Sequence, residues 1–404
     1  MSILTGKHIL LGVTGSIAAY KAADLASKLT QAGARVDVML TAGAEKFVAP
    51  LTFQSVTGSR AYTDSDLWGG EAHVLHVGLA HTADALVIAP CTANTLAKLA
   101  HGLADNLLTI TALANRAPLV LAPAMDGGMY DAPATQANLK TLLERGATII
   151  GPAEGHLASG LSGRGRMSEP TEILGHLRFI LGRGLRLAAK KVVISAGGTQ
   201  EPLDPVRVLT NRSSGKQGYA LAQAALDAGA DVTLVTAPTA LTPPIGAKVI
   251  RVETARQMLE AVLAESSDAD ALVMAAAVAD FRPKNAAGNK LKKRDGIPQV
   301  KLEATEDVLE AVAARRSKKK RPKVTVGFAA ESRDLLANAS EKLKSKKLDL
   351  IVANDISASD AGFGAETNRV TLLFGKGSQE SLPLMSKVEV AETIIAHLAV
   401  LLET

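Results

Sequence analysis

Short apolar runs alternate with helical patterns along the whole chain, and this alternation constrains the fold more than any other feature. The apolar run His8–Val13 leads into a small-residue turn, residues 14–17, and then into a helical pattern from Ala18 to about Gln31. A second apolar run, Arg35–Leu40, follows directly. Strands that alternate with helices form parallel sheets, whose ligands bind at the carboxyl ends of the strands. We therefore predict an α/β protein.

A second strand–helix series begins near residue 190. It follows the glycine-containing basic segment Leu181–Arg186, and its first apolar run is Val192–Ile194. A chain of 404 residues is long enough for two or three domains. We predict two Rossmann-like, three-layer domains, residues 1–188 and 189–404.

Composition narrows the classes of function. Hydrophobic residues make up 47% of the chain and aromatic residues only 3%, so the core must be built from aliphatic side chains, as in buried parallel strands. Cys91 is the only cysteine, which excludes an internal disulfide and a multi-cysteine metal site. No apolar run is long enough to cross a bilayer, so we predict a cytoplasmic protein without a membrane partner.

The net charge of +5 is concentrated in two basic runs, residues 284–294 and 315–323. Neither run contains the interleaved aromatic residues on which bases stack. A solvated surface and a small polyphosphate ligand therefore explain the charge better than nucleic acid does.

The segment 195–218 reads S-A-G-G-T-Q-E-P-L-D-P-V-R-V-L-T-N-R-S-S-G-K-Q-G, a glycine turn and a loop with two prolines ahead of an alanine-rich helical pattern. Small residues at a helix N-terminus allow an anion to approach the backbone N–H groups. Taken alone, Ser213 and Ser214 are equally well explained as helix caps. The whole segment, however, resembles the signature of phosphopantothenoylcysteine synthetases, the ligase half of the bifunctional coenzyme A biosynthesis enzymes.

Four segments of the first half resemble the flavin-containing cysteine decarboxylases. They are residues 41–44, 90–95, 102–108 and 123–130, and the resemblance extends over residues 6–167. It implies a flavodoxin-like domain that binds FMN. The turn after the first strand lacks the full dinucleotide fingerprint, which also favours a mononucleotide over NAD. The implied FMN contacts are Gly15, Ser16, Ile17, Thr41, Thr92, Asn94 and Thr95.

The same resemblance implies catalytic residues for decarboxylation. His76 matches the family's histidine, and a neutral imidazole can accept a thiol proton, although His73 and His81 lie nearby. Asp126 stands where the family has asparagine. We expect it to be protonated and to donate the hydrogen bond that asparagine would supply to the substrate carboxylate.

The resemblance also implies a flexible lid, residues 157–167, in which Ser159 stands where the family has the cysteine that protonates the last intermediate. A hydroxyl is a far weaker acid than a thiol, so either another acid, of which His156 is the nearest, replaces it or the last reduction is slow. Cys91 is a poor substitute because it lies in the presumed flavin loop.

For the second half, the resemblance implies that CTP activates 4′-phosphopantothenate as an acyl-cytidylate, which the cysteine amine then attacks. Asn211 would polarise the acyl group, Lys290 and Mg²⁺ would neutralise the phosphates, and Asp280 would bind ribose or the metal. CTP rather than ATP rests on the family alone. The implied CTP contacts are Ser213, Ser214, Gly215, Ala276, Asp280, Lys290, Asp307, Phe328, Lys342 and Lys346.

We therefore predict a bifunctional enzyme of coenzyme A biosynthesis that uses FMN, CTP and Mg²⁺ and acts on 4′-phosphopantothenate and cysteine. The departures at Asp126 and Ser159 suggest one alternative, an active ligase whose flavin-binding half decarboxylates poorly. The missing dinucleotide fingerprint disfavours a second alternative, a Rossmann-type oxidoreductase. The resemblance also implies a homo-oligomer built from decarboxylase trimers and ligase dimers.

Overall fold

The computed structural model describes residues 2–68, 74–156, 160, 162–293, 296–331, 334–355 and 364–403. The chain divides into two compact units, Ser2–Leu181 and Gly182–Thr404. In the described part of the chain, no helix is both long enough and apolar enough to span a membrane.

The first unit is an α/β domain. Its strands are β1 (His8–Val13), β2 (Arg35–Leu40), β3 (Ala61–Tyr62), β4 (Ala85–Cys91), β5 (Leu119–Pro123), β6 (Thr148–Ile149), β7 (Ala153–His156) and β8 (Ser162–Arg166). Its helices are α1 (Ala19–Gln31), α2 (Pro50–Thr57), α3 (Leu75–Thr82), α4 (Ala93–His101), α5 (Leu107–Ala114), α6 (Gly127–Asp131), α7 (Pro133–Glu144) and α8 (Pro170–Gly182).

The central sheet of this unit is parallel, with the strand order β3-β2-β1-β4-β5-β6. Without the two-residue edge strand β3, this is the flavodoxin order. Side chains on alternate positions of β1 enter different cores: Leu11 packs on one face, with Leu25 of α1, and Leu10 on the other, with Leu96 of α4. Helices therefore cover both faces of the sheet, which confirms the three-layer prediction.

The second unit has the same design with a larger sheet. Its strands are β9 (Lys191–Ala196), β10 (Gln200–Pro202), β11 (Val208–Thr210), β12 (Asp231–Thr236), β13 (Lys248–Arg251), β14 (Ala271–Met274), β15 (Phe281–Pro283), β16 (Leu302–Ala304), β17 (Val324–Glu331), β18 (Leu350–Asp355), β19 (Thr367–Asn368), β20 (Val370–Phe374), β21 (Gln379–Ser381) and β22 (Met385–Ser386). Its helices are α9 (Lys216–Asp227), α10 (Ala255–Glu265), α11 (Val308–Lys319), α12 (Leu335–Ser345) and α13 (Lys387–Glu403).

The sheet order here is β13-β12-β9-β14-β17-β18-β20-β21, parallel up to β18 and antiparallel beyond it. The six parallel strands have the order of the dinucleotide-binding folds, and the chain reverses direction across the sheet between β9 and β14. Ligands of such sheets bind at this reversal, at the carboxyl ends of the strands.

Two small pairs of antiparallel strands flank that edge of the second sheet. Strands β10 and β11 pair between Gln200 and Thr210, and β15 pairs with β16. The sequence predicts a plain loop with two prolines at the first position, and the structure instead forms a hairpin there. Pro202 fits because it occupies the last position of β10, where the ladder ends.

Candidate functional site

The first unit has a cavity of about 650 Å³ at the carboxyl ends of β1, β2, β4 and β5. The loops that follow β1 and β4 are joined through Thr14, whose hydroxyl donates to the carbonyl of Pro90 (2.8 Å) and accepts from the Thr92 N–H (3.1 Å). A Cβ on Gly15 would lie 3.0 Å from the backbone carbonyl carbon of Gly43. Only a glycine lets these two loops approach so closely, and the result is a narrow backbone cradle.

The N-terminus of α4 closes another side of this cavity. Thr92 is the N-cap, and its hydroxyl accepts from the Thr95 N–H. An exposed helix N-terminus next to a cradle of small residues suits a phosphate group. The predicted flavin contacts that line the cavity are Gly15, Ser16, Thr41, Thr92, Asn94 and Thr95. The predicted contact Ile17 lies outside the lining, with 58% of its surface exposed.

Sequence reasoning missed several residues of the same wall. Lys98 and Asp105 line the cavity and form an ion pair of 2.7 Å, and the Lys98 hydrogen bond is the main reason why the pKa of Asp105 lies below its ordinary value. Asp64 accepts from the Leu107 N–H (3.0 Å), which fixes the start of α5. Lys98 occupies the last turn of α4, four residues after Asn94, a spacing that places two side chains on the same side of a helix, and this spacing is the signal that could have revealed it.

The predicted decarboxylation residues occupy different places. His76 lies half-buried in the first turn of α3 and is not part of the cavity lining. Asp126 is the N-cap of α6, and its Oδ1 accepts from the Gly128 N–H at 2.9 Å. Its neighbours Met125 and Met129 line the cavity. Asp126, predicted to bind the substrate carboxylate, thus lies next to cavity-lining residues along the chain.

The predicted lid, residues 157–167, is described at residues 160 and 162–167, and its strand β8 packs on the turn that carries Asp126. The Met125 N–H donates to the carbonyl of Gly165 (3.0 Å), and a Cβ on Gly165 would lie only 2.2 Å from the Met125 carbonyl oxygen. Gly165 also has a φ of +146°, which favours glycine. The exposed His156 ends β7, and Ser159 lies outside the described residues.

Cys91 ends β4 with its side chain completely buried. Burial raises the pKa of the Cys91 thiol well above its ordinary value, because no nearby group compensates the thiolate for lost hydration. The thiol stays protonated and is a poor proton donor.

The second unit has a cavity of about 850 Å³ at the carboxyl ends of β9, β14, β17 and β18. The lining includes the predicted residues Asn211, Ser213, Ser214, Gly215, Ala276, Asp280, Asp307, Phe328 and Lys342. These come from five separate stretches of the chain, and the sheet topology brings them together. Lys290 and Lys346 are predicted for the same site but do not belong to the lining.

Asn211 follows β11 and is fixed against the loop after β14. Its Nδ2 donates to the carbonyls of Ala277 (3.3 Å) and Val278 (3.1 Å). Two buried hydroxyls of the β9 segment hold that loop in turn: Ser195 accepts from the Ala276 N–H and Thr199 from the Ala279 N–H. These supporting hydroxyls carry no local sequence signal, because their partners lie about eighty residues further along the chain.

The start of α9 forms one end of this cavity. Gly215 precedes the helix with a φ of +77°, and the Ser213 hydroxyl accepts from its N–H at 3.4 Å. Lys216 follows and pairs with Glu366. Helix N–H groups and an ammonium here make a positive surface suited to phosphates.

Lys387, at the start of α13, lies at the same end and was missed by sequence reasoning. It lines the cavity with only 6% of its surface exposed. Burial lowers its pKa, the charge of Lys216 lowers it further, and Glu366 partly offsets both. Within the described residues, Gln217 Oε1 and Asn354 Oδ1 line this cavity without a hydrogen-bond partner. The cavity therefore contains polar groups that a ligand can satisfy.

Lys346 and Lys342 have protein partners. Lys346 pairs with Asp307 (3.0 Å) and Glu310 (2.5 Å), whereas Lys342 donates to the carbonyl of Phe328 (3.1 Å). Burial alone would raise the pKa of Asp307, but the Glu310 N–H and Lys346 outweigh it and hold that pKa below its ordinary value. Asp307 is also the N-cap of α11. Lys346 thus fixes Asp307 at the cavity wall.

In the described part of the chain, His, Cys, Asp and Glu do not gather in groups of three or more that could hold a metal. The predicted metal residue Asp280 is exposed and lines the second cavity. A single carboxylate is compatible with Mg²⁺, which proteins often hold through one or two carboxylates together with substrate phosphates.

Comparison with known proteins identifies both halves. Residues 2–181 match the family model described as Flavoprotein, and residues 187–401 match the DNA/pantothenate metabolism flavoprotein C-terminal domain. The chain is 46% identical to the coenzyme A biosynthesis bifunctional protein CoaBC of Bacillus subtilis, over 99% of this chain and 98% of that protein. CoaBC of Vibrio vulnificus is 44% identical over 100% of both chains, and that of Mycobacterium bovis is 43% identical over 96% and 95%. The chain therefore belongs to the CoaBC family, the bifunctional enzymes of coenzyme A biosynthesis.

Proposed function

We propose that residues 189–404 ligate cysteine to 4′-phosphopantothenate with CTP and that residues 1–188 decarboxylate the product to 4′-phosphopantetheine. The observation that carries this proposal is the presence of two cavities, each at the carboxyl edge of its own sheet, in a chain that matches bifunctional relatives along its whole length. The first step supplies the substrate of the second.

In the ligase step, a carboxylate reacts with an amine only after it carries a good leaving group. We propose that the α9 N-terminus, Lys216 and Lys387 hold the CTP phosphates, and that Asp280 holds Mg²⁺ on them. Asn211 then exchanges one of its backbone carbonyl partners for the acyl oxygen of the cytidylate. Lys290 approaches the phosphates from the loop after β15.

In the decarboxylase step, the residues of the first cavity fit FMN. The Gly15–Gly43 cradle and the Thr92 cap suit its phosphate, and Asn94 and Thr95 offer further polar contacts. Bound FMN supplies the oxidation and reduction that accompany loss of CO₂. We propose that the predicted lid, residues 157–167, excludes water from the Asp126 turn, and that His76 accepts the substrate thiol proton.

The alternative of a decarboxylation-impaired flavin half is not favoured, because the match to bifunctional relatives extends without a break through the first unit. The roles of Ser159 and His156 as proton donors remain predictions. So do the trimer-and-dimer assembly and the cytoplasmic location.

Separation of the two half-reactions tests the assignment. Asn211→Ala should abolish formation of 4′-phosphopantothenoylcysteine while the same protein still releases CO₂ from added 4′-phosphopantothenoylcysteine. Gly15→Val should fill the cradle and give the opposite result, with loss of bound flavin absorbance. If either variant lost both activities while keeping the wild-type unfolding temperature, the two-site assignment would be wrong.

A further inference from the structure

We propose that Asp204 is a positioning residue for the ligase reaction, which holds the backbone that carries Lys290 in fixed register with Asn211. The inference rests on the proposed role of Lys290 in phosphate transfer. It adds a residue that is buried away from the cavity lining and touches no substrate.

Asp204 lies at the tip of the β10–β11 hairpin with a side chain that is 0% exposed. It accepts from the N–H groups of Val206 (2.8 Å) and Arg207 (2.8 Å) and from the Arg207 guanidinium (2.9 Å). Its fourth donor comes from a distant segment: the Leu291 N–H donates to its Oδ2 at 3.1 Å. Burial by itself would raise the pKa of Asp204, but the N–H donors and Arg207 reverse the effect and keep it below its ordinary value.

The contact with Leu291 is one of three that dock the Lys290 segment on the hairpin tip. The Ala287 N–H donates to the carbonyl of Leu203 (2.9 Å), and the Arg207 guanidinium donates to the carbonyl of Leu291 (3.1 Å). Lys290 therefore lies between two docked residues. Its side chain is exposed, but its backbone is held on both sides.

The same hairpin determines where Asn211 lies. Buried Glu201 of β10 accepts from the Ala255 N–H at 2.7 Å, which ties the hairpin to the start of α10. The Thr210 hydroxyl donates to the Thr199 carbonyl at 2.8 Å, one residue before Asn211. One rigid element thus carries Asn211 at its base and holds the Lys290 segment at its tip.

An ionised carboxylate is needed at this tip because four donors converge on its two oxygens. An asparagine would turn an NH₂ group toward some of these donors and leave them unsatisfied. Asp204→Asn should therefore release the loop while keeping side-chain size. Leu291→Pro removes the same long-range hydrogen bond from the other side, without touching the turn at 204–207.

The test measures CMP release by the full-length protein with 4′-phosphopantothenate, cysteine, CTP and Mg²⁺. Asp204→Asn and Leu291→Pro should each lower kcat by about tenfold, with a smaller change in KM for CTP. If Asp204 acts through Lys290, combining Asp204→Asn with Lys290→Ala should cost no more than Lys290→Ala alone, within a factor of about two. Asp268→Asn, a matched change of an exposed, ion-paired carboxylate, should leave kcat unchanged.

Comparison of the thermal unfolding transitions of each variant and the parent reports whether the second unit is folded, and decarboxylation of added 4′-phosphopantothenoylcysteine reports only on the first unit. The inference is overturned if Asp204→Asn leaves kcat unchanged or raises it. It is also overturned if the fold-losses of kcat in Asp204→Asn and Lys290→Ala multiply in the double variant, since that would indicate a general structural role. If Lys290→Ala by itself has no effect on kcat, the proposed role of Lys290 is wrong, and the inference falls with it. If Lys290→Ala lowers kcat as expected but the two losses multiply in the double variant, the inference about Asp204 is wrong while the proposed role of Lys290 stands.

Discussion

At the residue scale, Asp126 combines a structural task with a proposed chemical one. Its Oδ1 caps α6 through the Gly128 N–H, and the turn it begins lies against the first cavity. An asparagine oxygen can accept the same hydrogen bond, so the cap does not explain why this chain has an acid here. The proposed hydrogen bond from Asp126 to the substrate carboxylate must therefore be tested by mutation.

We expect Asp126→Asn to retain decarboxylation within about threefold of the parent, because asparagine keeps the cap and directly supplies the donor proposed for the protonated acid. Asp126→Ala removes both functions and should lose at least about tenfold. CO₂ release from 4′-phosphopantothenoylcysteine measures both variants. Loss of activity in Asp126→Asn would show that the carboxyl group does something that an amide cannot.

A second residue-scale prediction concerns the pH dependence of stability. Buried Asp37 accepts from His8 Nε2 (2.8 Å) and from Arg35 (2.9 Å). Burial would raise the pKa of Asp37, but His8 and Arg35 outweigh it and lower that pKa below its ordinary value. A lowered pKa in the folded state adds stability above the unfolded pKa of about 3.9, and this stability is lost as the pH falls through the folded value.

Asp37→Asn should therefore lower the free energy of unfolding of the first unit by about 3 kcal/mol at pH 7. The difference from the parent should shrink as the pH falls below about 4, where Asp37 of the unfolded parent takes up a proton, and should be smallest below the lowered pKa of the folded state. Urea unfolding followed by flavin fluorescence at both pH values measures this. A difference that grows in acid would mean that Asp37 is not stabilised as a carboxylate.

At the element scale, hydrophobic periodicity was enough to predict the main strands and helices. The apolar runs His8–Val13 and Arg35–Leu40 became β1 and β2, and the helical pattern from Ala18 to about Gln31 became α1 (Ala19–Gln31). The loops that follow β1, β4 and β14 could be recognised because small and polar residues interrupt apolar runs there. Both cavities follow from those loops and from the rule that parallel sheets bind ligands at the carboxyl edge.

The site residues that the sequence did not predict depend on contacts between distant parts of the chain. Lys387 begins α13, yet it lies beside Lys216 across 171 positions of sequence. Asp204 meets Leu291 across 87 positions, and the basic residue Arg316 pairs with Asp349 rather than with a ligand. Local patterns contain no information about such partners, so the exclusion of Lys346 from the cavity lining could not be predicted either.

Strand β8, which belongs to the predicted lid, gives a prediction at the same scale. Gly165→Ala should displace β8 from the Met125 turn, because its Cβ would lie 2.2 Å from a backbone oxygen. We expect at least a tenfold loss of decarboxylation, since a misplaced lid admits water and disturbs the substrate position, and no loss of ligation. Gly163→Ala in the same strand meets no atom within 4 Å and should stay within about twofold. Equal effects of the two changes would exclude close packing as the cause.

At the scale of the whole molecule, the two units have related sheets, but their cavities are lined by different chemical groups. The second cavity has a positive end and three exposed carboxylates, Asp280, Glu306 and Asp307, whereas the first has a backbone cradle. Chelation of divalent cations by EDTA should therefore stop CMP release and leave decarboxylation of added 4′-phosphopantothenoylcysteine unchanged. Excess Mg²⁺ should restore the first activity. Loss of both activities on chelation would contradict a metal requirement confined to the ligase.

The most direct measurement is mass analysis of the products that the purified protein forms from 4′-phosphopantothenate, cysteine, CTP and Mg²⁺. The account predicts 4′-phosphopantetheine together with CO₂, CMP and pyrophosphate. Accumulation of 4′-phosphopantothenoylcysteine without CO₂ would contradict the decarboxylase assignment of the first unit, and absence of CMP would contradict the ligase assignment of the second.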